Sequence, residues 1–509
     1  MSASSPTRAQ RLFAGWSANL FQTILGITQQ VALIPVFLHF WTGDVLAAWL
    51  VIYSAGNLVF VADAGLQFRA INRFLGFKSG VDCDGRTARF YAAMLRIYFG
   101  LVVTLAILLF VGAGLLPPSM ALGFQATSNF DAAFLLMTVG MLLTLPANLV
   151  SGLYRARGLY GHAVKLQCWA ILAGQFGQLI AIAATGSLLA VTLAYVAAQL
   201  AISAYFLFYD APRLFPYLRS GRRGGRSWPW IFGQFRLGAP FAVAGATELA
   251  LVNLPVLLVS AFVSDRVAVA QWGLTRVVAG LLRTLCTQAT LPLAAELGHD
   301  HAVGLKDRLQ NLYARGSLLV TLLASAAVSV LLPFWPDFFA LWTRGVIPYD
   351  PLLTVTLLIG TGVIAPSILA LSYANYSDRG KLLVQTKGLQ LAVFLILSVA
   401  LIPPMGPLGA AIAIVASDLL AQFGLLGVTV IRQTLRQPSR HIAFLAAVMA
   451  IVILGGWGLG EIIRSLMPWG GLTRFTIECA LWLFAVALIA SPLLLSRNLR
   501  DRLIAAIPR

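Results

Sequence analysis

Charge is what this chain has little of. Of its 509 residues, 11% are Asp, Glu, Lys or Arg and 59% are hydrophobic. A water-soluble domain covers its surface with about 25% charged residues, so this chain cannot be held in solution by water alone. Cysteine is scarce: Cys83, Cys168, Cys286 and Cys479 lie far apart and form no CxxC pair, so neither a metal site nor a disulfide framework is signalled. None of the five histidines (His39, His162, His299, His301, His441) falls in the middle of an apolar run, so an intramembrane acid–base histidine is missing. Paired carboxylates and nucleophile motifs are absent from the loops, and no cofactor is expected.

What the chain does have is apolar runs of about 20 residues, each long enough to cross a hydrocarbon core of about 30 Å. Water is absent at that depth, so each run must satisfy its backbone internally, which forces helices. The runs are continuous rather than alternating, which argues against a β-barrel. The fold class is therefore an all-α polytopic membrane protein of about 14 transmembrane helices. Spans are predicted at 15–40, 46–67, 91–115, 131–153, 163–184, 187–209, 237–262, 267–294, 313–336, 351–374, 382–402, 407–431, 441–463 and 474–496. Span nine is expected to end at Pro333/Pro336, with a short turn at Pro403-Pro404. The first run is too long for a signal-peptide core and reads as a retained helix.

A net charge of +18 raises nucleic acid as a partner, but the charges sit in short loops between apolar runs, so nucleic acid is not expected. The densest cluster, Arg213 to Arg226, reads as a solvated linker attracted to anionic lipid headgroups. With the N-terminus cytoplasmic, 30 of the 36 Lys and Arg fall on cytoplasmic segments and their flanks, Lys387 among them. Only Arg266, Arg344, Arg464 and Arg474 fall outside, and Arg276 and Arg283 stay within span eight. This asymmetry obeys the positive-inside rule and predicts both termini in the cytoplasm.

The halves resemble each other. Trp49 pairs with Trp272, Pro35 with Pro255, Tyr154 and Gly161 with Tyr373 and Gly380, and Gly186 with Gly406, at offsets of 219 to 223. Six spans per half make the repeats parallel. The predicted organisation is an N-lobe at 1–209, a basic linker at 210–236, a C-lobe at 237–432, and a helix pair with a short tail at 433–509. Two such bundles around a cavity point to a transporter.

The sharpest site candidates are Arg276 and Arg283. An arginine at bilayer centre costs roughly 2.5–3.5 kcal/mol, and their spacing of seven puts both on one helix face. They read either as an anion clamp, guanidinium being a fork suited to phosphate, or as partners of a buried carboxylate. Glu248 and Asp418, in spans seven and twelve, are the carboxylates available, and the four mid-membrane charges then sum to zero. Either could bind H⁺ or Na⁺, or serve only to neutralise. Asn19 and Gln22 in span one could read sugar hydroxyls, or glue helices together. Arg69 and Arg73, in the inner loop after span two, could recruit an anionic headgroup or merely enforce topology.

The run Phe37-Leu-His-Phe-Trp41, then Trp49, Ser54, Asp63-Ala-Gly65-Leu66 and Asn72-Arg73, resembles the start of bacterial polysaccharide flippases of the multidrug/oligosaccharidyl-lipid/polysaccharide exporter superfamily. The resemblance implies two six-helix lobes in a V plus two trailing helices. It also implies flipping of an undecaprenyl-pyrophosphate-linked oligosaccharide across a bacterial inner membrane, with other polysaccharide-assembly proteins as candidate partners. Arg276 and Arg283 would supply the cationic lumen of such relatives, and Glu248 stands where related multidrug exporters carry an ion-coupling carboxylate. Alternatives are a multidrug extruder of the same superfamily, a major facilitator, whose loop motif Gly80 to Arg89 only echoes, and a membrane-embedded glycan enzyme.

Overall fold

The structure is a computed structural model that describes residues 8–77, 82, 84–220, 227–377, 379–467 and 472–495. Among them thirteen helices are long and apolar enough to cross a membrane, and Leu472–Leu495 forms a further 24-residue helix. No strand occurs among the described residues. The fourteen predicted spans are therefore all helical.

By contacts the chain divides into two compact units, 1–266 and 267–509. Unit 1 contains α1 (Arg8–Phe40), α2 (Gly43–Leu58), α3 (Leu66–Phe77), α4 (Arg86–Leu115), α5 (Pro118–Leu122), α6 (Phe130–Ala156), α7 (Tyr160–Thr185), α8 (Leu188–Ala204), α9 (Ala211–Leu214) and α10 (Trp228–Phe262). Unit 2 contains α11 (Arg266–Val303), which begins at the boundary, then α12 (Lys306–Trp342), α13 (Pro351–Tyr376), α14 (Gly380–Met405), α15 (Pro407–Ser417), α16 (Val428–Thr434), α17 (Pro438–Ser465) and α18 (Leu472–Leu495). The sixth and twelfth spans each contain a π-helical stretch, Tyr205–Asp210 and Asp418–Gly427. Such wide turns are uncommon and occur frequently at functional sites.

Two proline pairs predicted to end a span or form a turn lie inside helices. Helix α12 runs through Pro333 and Pro336 to Trp342, and α14 runs through Pro403 and Pro404 to Met405, so that the turn falls at Gly406. Prolines are tolerated in buried membrane helices where neighbours compensate. Against Pro333 sits Gly460 of α17, where an added Cβ would meet the proline ring at 2.3 Å. Small residues at such positions let two backbones approach closely, which substitutes for the hydrophobic drive that lipid lacks. Spans thirteen and fourteen thus pack on α12 and on each other.

In unit 1 the tryptophan of the repeat has an aromatic setting. Trp49 sits among Phe37, Trp41, Tyr53 and Tyr195, and the Trp41 indole donates to the Gly186 carbonyl at 2.6 Å. Its counterpart Trp272 is fully buried in unit 2. Tyr154 and Tyr373, the paired tyrosines near the ends of α6 and α13, are likewise fully buried.

Span two ends in a 3₁₀ turn at Val59–Asp63, and the chain then bends through left-handed Ala64 and Gly65 into α3. Helix α10 packs against this bend and against α2 and α3. A Cβ on Gly65 would lie 2.3 Å from the Gly238 carbonyl oxygen of α10. This contact binds α10 into unit 1, so the contact boundary at 266 and the repeat boundary at 237 divide the chain at different places. Gly65→Ala is expected to cost about 2–5 kcal/mol, from its positive φ and from the backbone it would strike. Gly85, also at positive φ but with open space around it, is the control, expected to lose only about 1–2 kcal/mol. Thermal unfolding in detergent compares them; equal losses would refute the contact.

Candidate functional site

The helices of unit 2 bring a buried polar network together inside the membrane-spanning region. Arg283 of α11 donates from Nη1 to Asp418 Oδ2 at 3.0 Å and from Nη2 to Gln422 Oε1 at 2.9 Å. The Gln390 amide of α14 donates to the other Asp418 oxygen. Lys387, one turn before it, donates from Nζ to Gln390 Oε1 at 2.9 Å and to Gln422 Oε1 at 3.5 Å. Gln422 in turn donates from Nε2 to Ser367 Oγ of α13 at 3.0 Å. Lys387, Gln390, Asp418 and Gln422 are all buried, whereas the Arg283 side chain keeps 28% of its surface exposed. Arg276, two turns along α11, interacts electrostatically with Arg283 and Asp418. Asp418 opens the π-helical stretch that also holds Gln422.

The sequence offers Arg283 either an anion or a buried carboxylate, and gives no place to Lys387, Gln390, Gln422 and Ser367. Lys387 was counted with the cytoplasmic flank of span eleven, yet it is only 2% exposed. The charge sum changes accordingly. Within unit 2 this network holds three cations, Arg276, Arg283 and Lys387, against the single carboxylate of Asp418, rather than a balanced set. A signal was available: Lys387 and Gln390, like Asp418 and Gln422, are spaced to share a helix face.

A second cationic site lies at the α3–α4 end of unit 1. Arg157, just past α6, donates from Nε to Asp82 Oδ2 at 2.7 Å, from Nη1 to the Phe74 carbonyl at 2.8 Å and from Nη2 to Thr87 Oγ1 at 3.1 Å. Burial alone would raise the Asp82 carboxyl, but hydrogen bonds from Arg157 and Thr87 outweigh it and hold the group below its usual range. This clasp fixes α3 beside the start of α4. Arg69 and Arg73 of α3 and Arg86 and Arg89 of α4 then line one cavity of about 290 Å³, together with Trp230 and Gln234 of α10. Burial and the neighbouring Arg73 both lower the Arg69 guanidinium from its ordinary value.

No family model matches the chain, and no curated protein matches it in sequence. Among solved structures it is similar to a lipid II flippase, MurJ, in an inward closed conformation, with a TM-score of 0.68 and 11% identity over 94% of this chain and 99% of that one. It is similar also to a multidrug resistance MATE transporter of the MOP superfamily in an inward-facing conformation (TM-score 0.60, 14% identity, 84% and 96% covered). A third is a mutant of the Vibrio cholerae MATE transporter VcmN (TM-score 0.55, 15% identity, 84% and 97% covered). The chain has the fold of MOP-superfamily flippases and exporters.

On this MOP fold the remaining sequence candidates are scattered. Glu248 is partly buried on α10, in unit 1, and so belongs to a different unit from Asp418. Gln22 of α1 donates to Gln167 Oε1 of α7 at 3.4 Å, tying two helices of unit 1 together. The Asn19 side chain lies outside the described residues, as do Arg222, Arg223 and Arg226 of the basic linker.

Proposed function

We propose that this chain moves a polyisoprenyl-pyrophosphate-linked oligosaccharide from the cytoplasmic to the outer leaflet of a bacterial inner membrane, by alternating access. One observation carries the reading: among the described residues, the polar network of unit 2 gathers buried Lys387 and partly buried Arg276 and Arg283 around the carboxylate of Asp418. Adding Glu248 of the other unit still leaves positive charge in excess. Isolated charge is expensive in low dielectric, so an excess of one sign is retained where an opposite charge passes or docks. Guanidinium forks suit a pyrophosphate bidentately. Both Asp418 oxygens already accept hydrogen bonds, which suits a neutralising partner. The H⁺ or Na⁺ coupling role is assigned to Glu248, a partly buried carboxylate within span seven. The charge asymmetry of the loops supports cytoplasmic termini.

Likeness to MATE transporters favours a second reading, multidrug extrusion, but organic cations are repelled by the same network. Proteoliposomes holding the purified chain distinguish the two. A pyrophosphate-linked glycolipid is expected to become accessible to a lectin on the far side under an ion gradient, and Glu248→Gln is expected to abolish the gradient dependence. Extrusion of an organic cation with the glycolipid left in place would establish the multidrug reading instead. Unchanged gradient dependence in Glu248→Gln would remove that residue from coupling.

A further inference from the structure

The four-arginine cavity of unit 1 lies outside the buried network, and topology alone does not account for it. Positive-inside sorting needs arginines in a loop; it does not need four guanidinium groups drawn from two helices into one space. Their existing partners are modest. Arg69 donates from Nε to Gln234 Oε1 at 3.2 Å, and the Arg73 guanidinium lies over the Phe77 ring at 4.8 Å. Arg86 pairs with Asp84 at 3.0 Å, and Arg89 donates to the carbonyls of Gly85 and Asp84 at 3.3 Å. Among the described residues no carboxylate lines the cavity wall. Four guanidinium groups lining one cavity give it a positive potential that attracts an anion.

The cavity also continues in a particular direction. Trp230 lines it, and the same residue lines an apolar groove of about 490 Å³ between α4 and α10, together with Arg96, Gly100, Thr104, Trp228 and Phe235. Along α4, Arg86, Arg89, Ala93, Arg96, Gly100 and Thr104 recur at helical spacing, so one face runs from cationic to apolar over about 27 Å of helix. The α10 wall comes from its first two turns, Trp228 to Phe235. A basic pocket at the membrane surface that opens into an apolar groove along a membrane span matches a molecule with an anionic head and a hydrocarbon tail.

We propose that this cavity and groove capture the lipid carrier of the substrate before transport, the pyrophosphate among Arg69, Arg73, Arg86 and Arg89 and the first isoprene units along α4 beside Trp228 and Phe235. The charge favours this occupant over a resident phospholipid. A pyrophosphate diester brings two negative charges to four arginines, of which Asp84 answers one, whereas a phosphodiester brings a single charge. The assignment rests on the flippase reading for the identity of the lipid, while the site itself is read from unit 1 alone.

The test measures binding of a photo-crosslinkable polyprenyl diphosphate to the full-length protein in nanodiscs of neutral phosphatidylcholine. Arg86→Gln with Arg89→Gln removes charge-assisted hydrogen bonds and is expected to weaken capture at least about tenfold. Gly100→Trp fills the groove at a position where a Cβ meets nothing within 4 Å. It is expected to weaken the polyprenyl diphosphate while leaving inorganic pyrophosphate bound as before. Crosslinks are expected on α4 and the start of α10. Wild-type affinity in both variants would overturn the site, and displacement of the probe by phosphatidylglycerol at equal concentration would make it a phospholipid site. Arg283→Ala separates the two proposals. Arginine-dependent capture in a protein that fails to flip glycolipid keeps the cavity assignment, whereas flipping without such capture removes it.

Discussion

Arg283→Ala is expected to abolish glycolipid transport, and removing its partner as well with Asp418→Ala is expected not to bring it back. The single substitution removes the hydrogen-bonded cation of a carboxylate that is 2% exposed. Removing one partner of a buried ion pair costs about 3–5 kcal/mol, so reduced yield of the single variant is expected as well. The double variant removes that penalty and is expected to recover folded protein. Its transport should stay at least about a hundredfold down, because a guanidinium contributing two charge-assisted hydrogen bonds to a pyrophosphate is worth roughly 3–6 kcal/mol. Yield follows from detergent-solubilised protein and transport from lectin accessibility in proteoliposomes. A double variant that flips glycolipid at the wild-type rate would reduce Arg283 to a structural partner of Asp418.

Lys387→Met separates function from stability in the opposite direction. Its ammonium is buried and donates to two glutamine oxygens, of Gln390 at 2.9 Å and of Gln422 at 3.5 Å. Burying an ammonium is costly, and Met keeps the length of the stem without the charge. The variant is therefore expected to unfold at the same or a higher temperature. If the lysine is retained for its charge, glycolipid transport falls at least about tenfold, the loss of one charge-assisted contact. A more stable protein with undiminished transport would show that the positive excess has no part in handling substrate.

Both experiments bear on why some parts of this molecule are legible from its residues and others are not. The fourteen helices follow from chain chemistry alone, since an apolar run of about 20 residues has no other way to satisfy its backbone in lipid. The intramembrane arginines were equally visible, because no charge survives there without a partner or a purpose. Lys387 was not. A lysine two turns inside a helix either extends its stem back to the surface or turns inward, and only the neighbouring helices decide between them. Here Gln390 on its own helix and Gln422 on the next supply the oxygens that turn it inward. Glu248 tells the same story. Its place in span seven suited the second half of the repeat, but the close approach of Gly238 to Gly65 fastens its helix to the first unit.

The residues by themselves determined that this is a helical membrane protein of about fourteen spans, because apolar length acts within one segment at a time. Only the tertiary structure decided that Arg283, Lys387 and Asp418 form one network and that four arginines from α3 and α4 line one cavity. Such convergence depends on helix rotation and on approach distances set by glycines and proline rings. Those are properties of pairs of segments, which the spacing within any one of them does not encode.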